Sequence, residues 1–179
     1  MSRNDQKRRD DRVGRILSYF VAISTIIGIP AGLYAYYAGQ HAKRVEATFE
    51  FYKTYRSDAF QAQWTVLTSR WNAQAAKERQ LQQAGDDAAL LKLETSLVSD
   101  PAGQKAIDAV TAFFDELSAC VDYSLCDNNA AVALFQGPAT QIAGAFGSYI
   151  LGVRETYDNK TYGTGLFKTR ARQTRWSLF

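Results

Sequence analysis

From Ile16 to Gln40 the chain carries no charged side chain. About 20 apolar residues, each rising about 1.5 Å, are enough to cross a bilayer core, so this run predicts a transmembrane helix. Beyond it, apolar positions recur with a helical period. Val45, Phe49 and Tyr52 continue a stripe out of the span. Phe60, Trp64, Leu67 and Trp71 form the next stripe, with Ser57 or Asp58 as its N-cap. Gly85-Asp86-Asp87 breaks the pattern, and Leu90, Leu91, Leu93 and Leu97 mark a short helix over 88–98. Asp100-Pro101 opens a longer helix, with proline in its first turn. Along it Ile107, Val110, Phe114, Leu117 and Val121 make an apolar seam, while Asp108, Asp115 and Asp122 recur every seven residues on another face. Asp127 caps a brief helix, Gly137-Pro138 interrupts it, and Ile142, Phe146, Tyr149, Ile150 and Val153 line the last helix. No alternating β-branched run bounded by hairpin turns is present. The pattern predicts an all-α fold, a single N-terminal transmembrane helix followed by an antiparallel helical bundle of four or five helices. Its parts are a basic head (1–15), the span (16–40), the bundle (41–158) and a basic-aromatic tail (159–179) expected to be extended.

Charge adds a direction to this picture. The head holds six Lys/Arg and three acidic residues, the stretch 16–158 holds ten basic and fifteen acidic, and the tail holds five basic and none acidic. An acidic body between basic ends argues against nucleic acid, which asks for a basic stripe on the folded body. The six basic residues before the span exceed the four just after it (Lys43, Arg44, Lys53, Arg56). That bias places the N-terminus in the cytoplasm and the bundle in the periplasm of a bacterial inner membrane. A cleaved signal peptide is the competing reading, with Ala38-Gly39 as the cleavage site. Its apolar core would be about 7–15 residues, shorter than this run. Within the span, Ser24, Gly28 and Gly32 repeat every four residues, with Ala31, Ala35 and Gly39 beside them. Small residues at that spacing let helix backbones approach within lipid, so these six are the expected helix-packing face.

Candidate chemistry is sparse. His41 is the single histidine, which cannot build an HExxH zinc site. No phosphate loop, GxGxxG turn or GxSxG elbow occurs. Asp115 and Glu116 are adjacent and point about 100° apart on a helix, unlike a catalytic pair. No cofactor, metal or catalytic residue is therefore assigned. Cys120 and Cys126, the only cysteines, sit where one helix ends and the next begins, and form a candidate disulfide. In the tail Arg170, Arg172, Arg175, Trp176, Leu178 and Phe179 form an expected docking segment, basic spacers between apolar anchors.

The segments AVTAFFDELSACV (Ala109–Val121) and FGSYILGVRE (Phe146–Glu155) resemble a group of uncharacterised bacterial single-pass membrane proteins with a small helical domain of unknown function. The resemblance spans roughly residues 40–158 and implies an all-helical domain with no established reaction. The expected partners are the lipid bilayer and either a larger membrane protein complex or a second copy of the chain. The expected role is a non-catalytic accessory or scaffold subunit packing through its membrane helix, bundle and tail. The alternative is a self-oligomerising membrane effector of the defence type.

Overall fold

The computed structural model describes residues 32–172, and all regular secondary structure there is helical. The chain divides into two units, residues 1–42 and 43–179. In the first, residues 32–42 are helical and almost wholly exposed. The second opens with helical residues 43–56 (α1). It continues with α2 (Asp58–Ala84), α3 (Asp87–Leu97), α4 (Pro101–Asp122), α5 (Asn128–Tyr157) and α6 (Thr164–Ala171).

No helix among the described residues is long and apolar enough to cross a membrane. This corrects the transmembrane helix expected over 16–40. Residues 16–31 of that run lie outside the described residues. The described remainder, 32–40, gives only about 14 Å of helix before Lys43 and Arg44, against a hydrocarbon core of about 30 Å. An inner-membrane location with a periplasmic domain rested on that span and is corrected with it.

Short polar side chains start most of the helices. Ser57 accepts from Phe60 N, Asp86 from Ala89 N, Asp100 from Gly103 N and Asp127 from Ala130 N. Each satisfies a first-turn N–H that has no helical partner. Gly85 ends α2 in the left-handed region at φ 66°, which glycine adopts without a Cβ penalty.

Contacts between named residues give the helix directions. Phe60 meets Phe113 at 4.7 Å between ring centroids, while Arg70 grips Asp100 with paired bonds of 2.8 and 2.9 Å, so α2 and α4 are antiparallel. Glu94 reaches Tyr149 and Leu91 lies against Gly152, which sets α3 against α5 in the same sense. Gln136 reaches the end of α6 and Arg154 the segment before it, so α5 and α6 are antiparallel too. The core is rich in aromatic rings. Phe113 stands within 6.2 Å of Tyr55, Phe60, Phe114 and Phe135, and Phe114, Phe135 and Phe146 are fully buried.

Two sequence expectations fail inside this bundle. The helix does not break at Gly137-Pro138, because α5 runs through Pro138. Proline forfeits one i→i−4 bond, but burial of Phe135, Ala139 and Ile142 on either side keeps the segment helical. The irregularity falls instead at Phe146, whose φ of −133° leaves the helical region. The tail expected to be extended forms α6 in its described part. It docks on the bundle, where Leu166 and Thr169 are buried as α6 packs on α4 and α5.

Candidate functional site

The heptad aspartates of α4 form a rail for the C-terminal segment. Seven residues make nearly two helical turns, so Asp108, Asp115 and Asp122 stand in one row about 10 Å apart. Tyr162 Oη donates to Asp108 at 2.8 Å. Gly163 N donates to one oxygen of Asp115 at 2.8 Å, and Gly165 N donates to the other. Lys168 Nζ and Arg172 Nη2 donate to the two oxygens of Asp122 at 2.8 and 2.6 Å. The order of contacts runs with the chain, so α6 lies parallel to α4, unlike the antiparallel pairs around it.

Local chemistry explains why this segment, residues 162–172, seats as a strap. Gly163 has φ 64° and supplies no side-chain cap to α6. Asp115 does that work from the neighbouring helix, its carboxylate accepting the N–H groups at the start of α6 and facing the positive end of the helix dipole. Gly165 permits the approach, since a Cβ there would land on the backbone of Phe114 and Asp115. Arg154 donates from Nε to Tyr162 O at 2.6 Å and lies 5.0 Å from the Phe167 ring centroid. Gln136 Nε2 donates to the carbonyls of Arg172 and Arg170 at 2.8 and 3.2 Å, closing the other end. Arg172 also reaches Ser118 O and Ser118 Oγ.

The rail is not electrostatically uniform. Burial raises the Asp115 carboxyl above the usual aspartate range, and the N–H groups of Gly165 and Gly163 only partly oppose it. At Asp122 burial pushes the same way, but the hydrogen bonds from Lys168 and Arg172 outweigh it and hold the carboxyl below the usual range. Burial, reinforced by Asp108, raises the Tyr162 phenol. An open groove of about 440 Å³ follows the seam, lined by Ser118, Asp122, Tyr123, Thr161 and Lys168 among others.

A second acidic feature also touches α5. Glu78 of α2 and Glu94 of α3 are each only 1% exposed. Glu94 accepts from Tyr149 N at 2.7 Å, just past the distortion at Phe146. It therefore caps the second half of α5, where the kink has removed helical acceptors. Glu78 accepts from Gln82 Nε2. Burial pushes both carboxyls up to about 7, and for Glu78 the proximity of Glu94 adds to this.

The residues singled out from sequence fall in different places. Gly32, Ala35 and Gly39 are exposed, and a Cβ at Gly32 or Gly39 would meet nothing within 4 Å. Ser24, Gly28 and Ala31 lie outside the described residues. Cys120 and Cys126 are joined, with Cα atoms 5.2 Å apart. The helix stops at Asp122, Ser124 turns at φ 57°, and the N–H groups of Leu125 and Cys126 both return to Cys120 O. Arg170 is exposed, and Arg172 binds the chain's own rail. Arg175, Trp176, Leu178 and Phe179 lie outside the described residues. Sequence reasoning saw the heptad aspartates only as a separate face. Lys168 and Arg172, one helical turn apart on an acid-free segment, were the signal that could have paired the tail with them. Glu78 and Glu94 carried no such signal.

Neither the curated proteins nor the solved structures contain a match to this chain. One family model does match, over residues 22–164 of the 179. Its span takes in α1 to α5 and stops as α6 begins, so the helix held by the rail lies beyond it. On that match the chain belongs to the family described as a domain of unknown function, DUF4760.

Proposed function

We propose that this chain is a non-catalytic accessory or scaffold subunit that docks on a larger protein assembly. The observation behind this reading is the helical stretch 32–39, which has no charged residue and whose side chains are all exposed. Leu33, Tyr34, Tyr36 and Tyr37 stand out from it at 52–78% exposure. Large contiguous apolar surface marks an interaction site, and tyrosine is enriched at interface cores. The perturbed carboxylates, ordinarily the first candidates for acid–base chemistry, have structural partners here. Asp115 caps α6, Glu94 caps the kinked half of α5, and Glu78 binds Gln82.

The test is affinity purification of the tagged full chain beside a variant carrying Tyr34→Ser and Tyr37→Ser. A stoichiometric partner should accompany the parent and fall at least tenfold in the variant, with helical content by circular dichroism unchanged. Equal recovery of the partner from both chains would remove this segment from the interface and the reading with it.

A further inference from the structure

We propose that α3 is a pH-released flap on α5. It lies closed while the buried carboxyls of Glu78 and Glu94 hold their protons, and lifts when both ionise. The inference is independent of the docking role of residues 32–39. It starts from how α3 is attached. Leu90 and Leu93 are buried, yet the contiguous core of the bundle takes in Val98 and Leu97 and not these two. Since α3 packs on α2 and α5, its leucines form a thin layer beside the core. Leu91 is 38% exposed and rests against Gly152. A helix of 11 residues does not persist alone in water, and elements with few buried apolar contacts open before the rest of a fold.

The polar clasp is the second observation. Glu94 accepts from Tyr149 N at 2.7 Å and takes further bonds from Ser148. This joins α3 to α5 just past the distortion at Phe146. The base of α3 is pinned separately, because Arg70 donates to Leu97 O at 2.8 Å and grips Asp100. Its other end turns into α2 through Gly85 and Asp86, both exposed. The Glu94 contact can therefore part from α5 while the base stays held.

The third observation is the company these carboxyls keep. Glu78 and Glu94 are each 1% exposed, and among the described residues neither is in an ion pair. Glu78 accepts from the neutral amide of Gln82. The charged groups acting on it are Glu94, which repels, and Arg79, which attracts. Arg79 is exposed, and its Nε is spent on Ala75 O. Since α4 begins at the level of Arg70, it does not reach Glu78, about two turns further along α2. The groups of α5 that face Glu94 are neutral donors on Ser148 and Tyr149, and burial raises the Tyr149 phenol, which keeps it neutral as well. A buried carboxylate without a bonded cation is costly, and a second one beside it is costlier. Burial accordingly pushes both carboxyls up to about 7. The closed form holds protons that the lifted form, with its carboxyls in water, releases, so rising pH favours lifting.

Amide hydrogen exchange read by mass spectrometry tests this on the full chain at pH 5 and pH 8.5, with rates corrected for the intrinsic pH dependence of exchange. Protection over 87–97 and 146–152 should fall at least about tenfold at the higher pH, while 107–121 in α4 keeps its own. A chain carrying Glu78→Gln and Glu94→Gln has nothing to ionise at this site, and glutamine still offers an oxygen to Tyr149 N. It should keep α3 protected at both pH values. Protection over 87–97 that does not change with pH in the parent would overturn the proposal. A loss shared equally by α3 and α4 is global unfolding and overturns it too, as does an equal loss over 87–97 in parent and variant. If the variant lacks helical content by circular dichroism at pH 5, the contrast between α3 and α4 in the parent decides alone.

Discussion

At the residue scale, the position of greatest consequence is a glycine that no sequence pattern marked. Gly165 has no room for a methyl group, because the place a Cβ would occupy is already taken by the α4 backbone at Phe114 and Asp115. Its N–H also delivers one of the two bonds to Asp115. Gly165→Ala should lower stability by roughly 2–3 kcal/mol, the scale of overpacking against an immovable backbone. Urea denaturation checks it, with Gly144→Ala as the control, since a Cβ at Gly144 meets nothing within 4 Å. The control site is also helical and mid-element, so alanine there should be neutral to stabilising. A Gly165→Ala chain as stable as its parent would mean that α6 does not sit this close to α4. Gly103 is a similar case at the other end of α4, crowded by Val98 and the Arg70 guanidinium.

At the element scale, α5 is held in two pieces by a neighbour. The kink at Phe146 leaves the N–H of Tyr149 for Glu94 to accept, and Glu78 is buried nearby on α2. Burial raises both carboxyls from the ordinary 4.5 to about 7. Between those values the folded chain keeps protons that the unfolded chain has released, so rising pH favours the unfolded state. The stability these groups contribute is fully present below about pH 4.5 and is lost as pH rises through about 7. The loss is on the order of 3 kcal/mol for each group if it titrates alone. Glu78→Gln should therefore match the parent near pH 4.5, exceed its stability at pH 8, and show a shallower fall between them. Chemical denaturation at a series of pH values measures this, and parallel curves for the two chains would show that Glu78 stays ionised in the fold. The disulfide works on the same scale with simpler physics. By bridging Cys120 to Cys126 it fixes the turn between α4 and α5, and closing so short a loop contributes about 2 kcal/mol.

At the scale of the whole molecule, the strap is part of the body and not an appendage. Leu166 is fully buried, Thr169 nearly so, and the rail's three carboxylates are occupied along its length. A tail without acidic residues, expected to be extended and to await an external partner, instead meets the acidic excess of its own chain. Truncation after Thr161 should accordingly lower stability by at least about 3 kcal/mol. Loss of one buried leucine accounts for about 2 kcal/mol, and the carboxylate Asp115 is left half-buried without its donors. Thermal and urea unfolding of the shortened chain tests this. A truncated chain with unchanged Tm would return the strap to the status of a loose end.

The elements of this fold were largely legible because they depend on neighbours in sequence. Ser57, Asp100-Pro101 and Asp127 start helices through bonds that span three residues, and Gly85 stops one through its own φ. The seam of Ile107, Val110, Phe114 and Leu117 declares a buried face by period alone. What only the tertiary structure decided is which polar groups answer one another across long stretches of chain. Pro138 looked like a break because its own backbone lacks a donor, yet the burial of Phe135, Ala139 and Ile142 on either side carries the helix past it, and the irregularity falls at Phe146. The apolar run at the N-terminus reads as a membrane span by hydropathy, and no helix among the described residues is long and apolar enough to sustain that reading. Asp115 and Gly165 lie fifty positions apart, as do Asp122 and Arg172. No local period links such pairs, because what selects them is the close approach of α4 and α6, and that approach exists only once the bundle has formed.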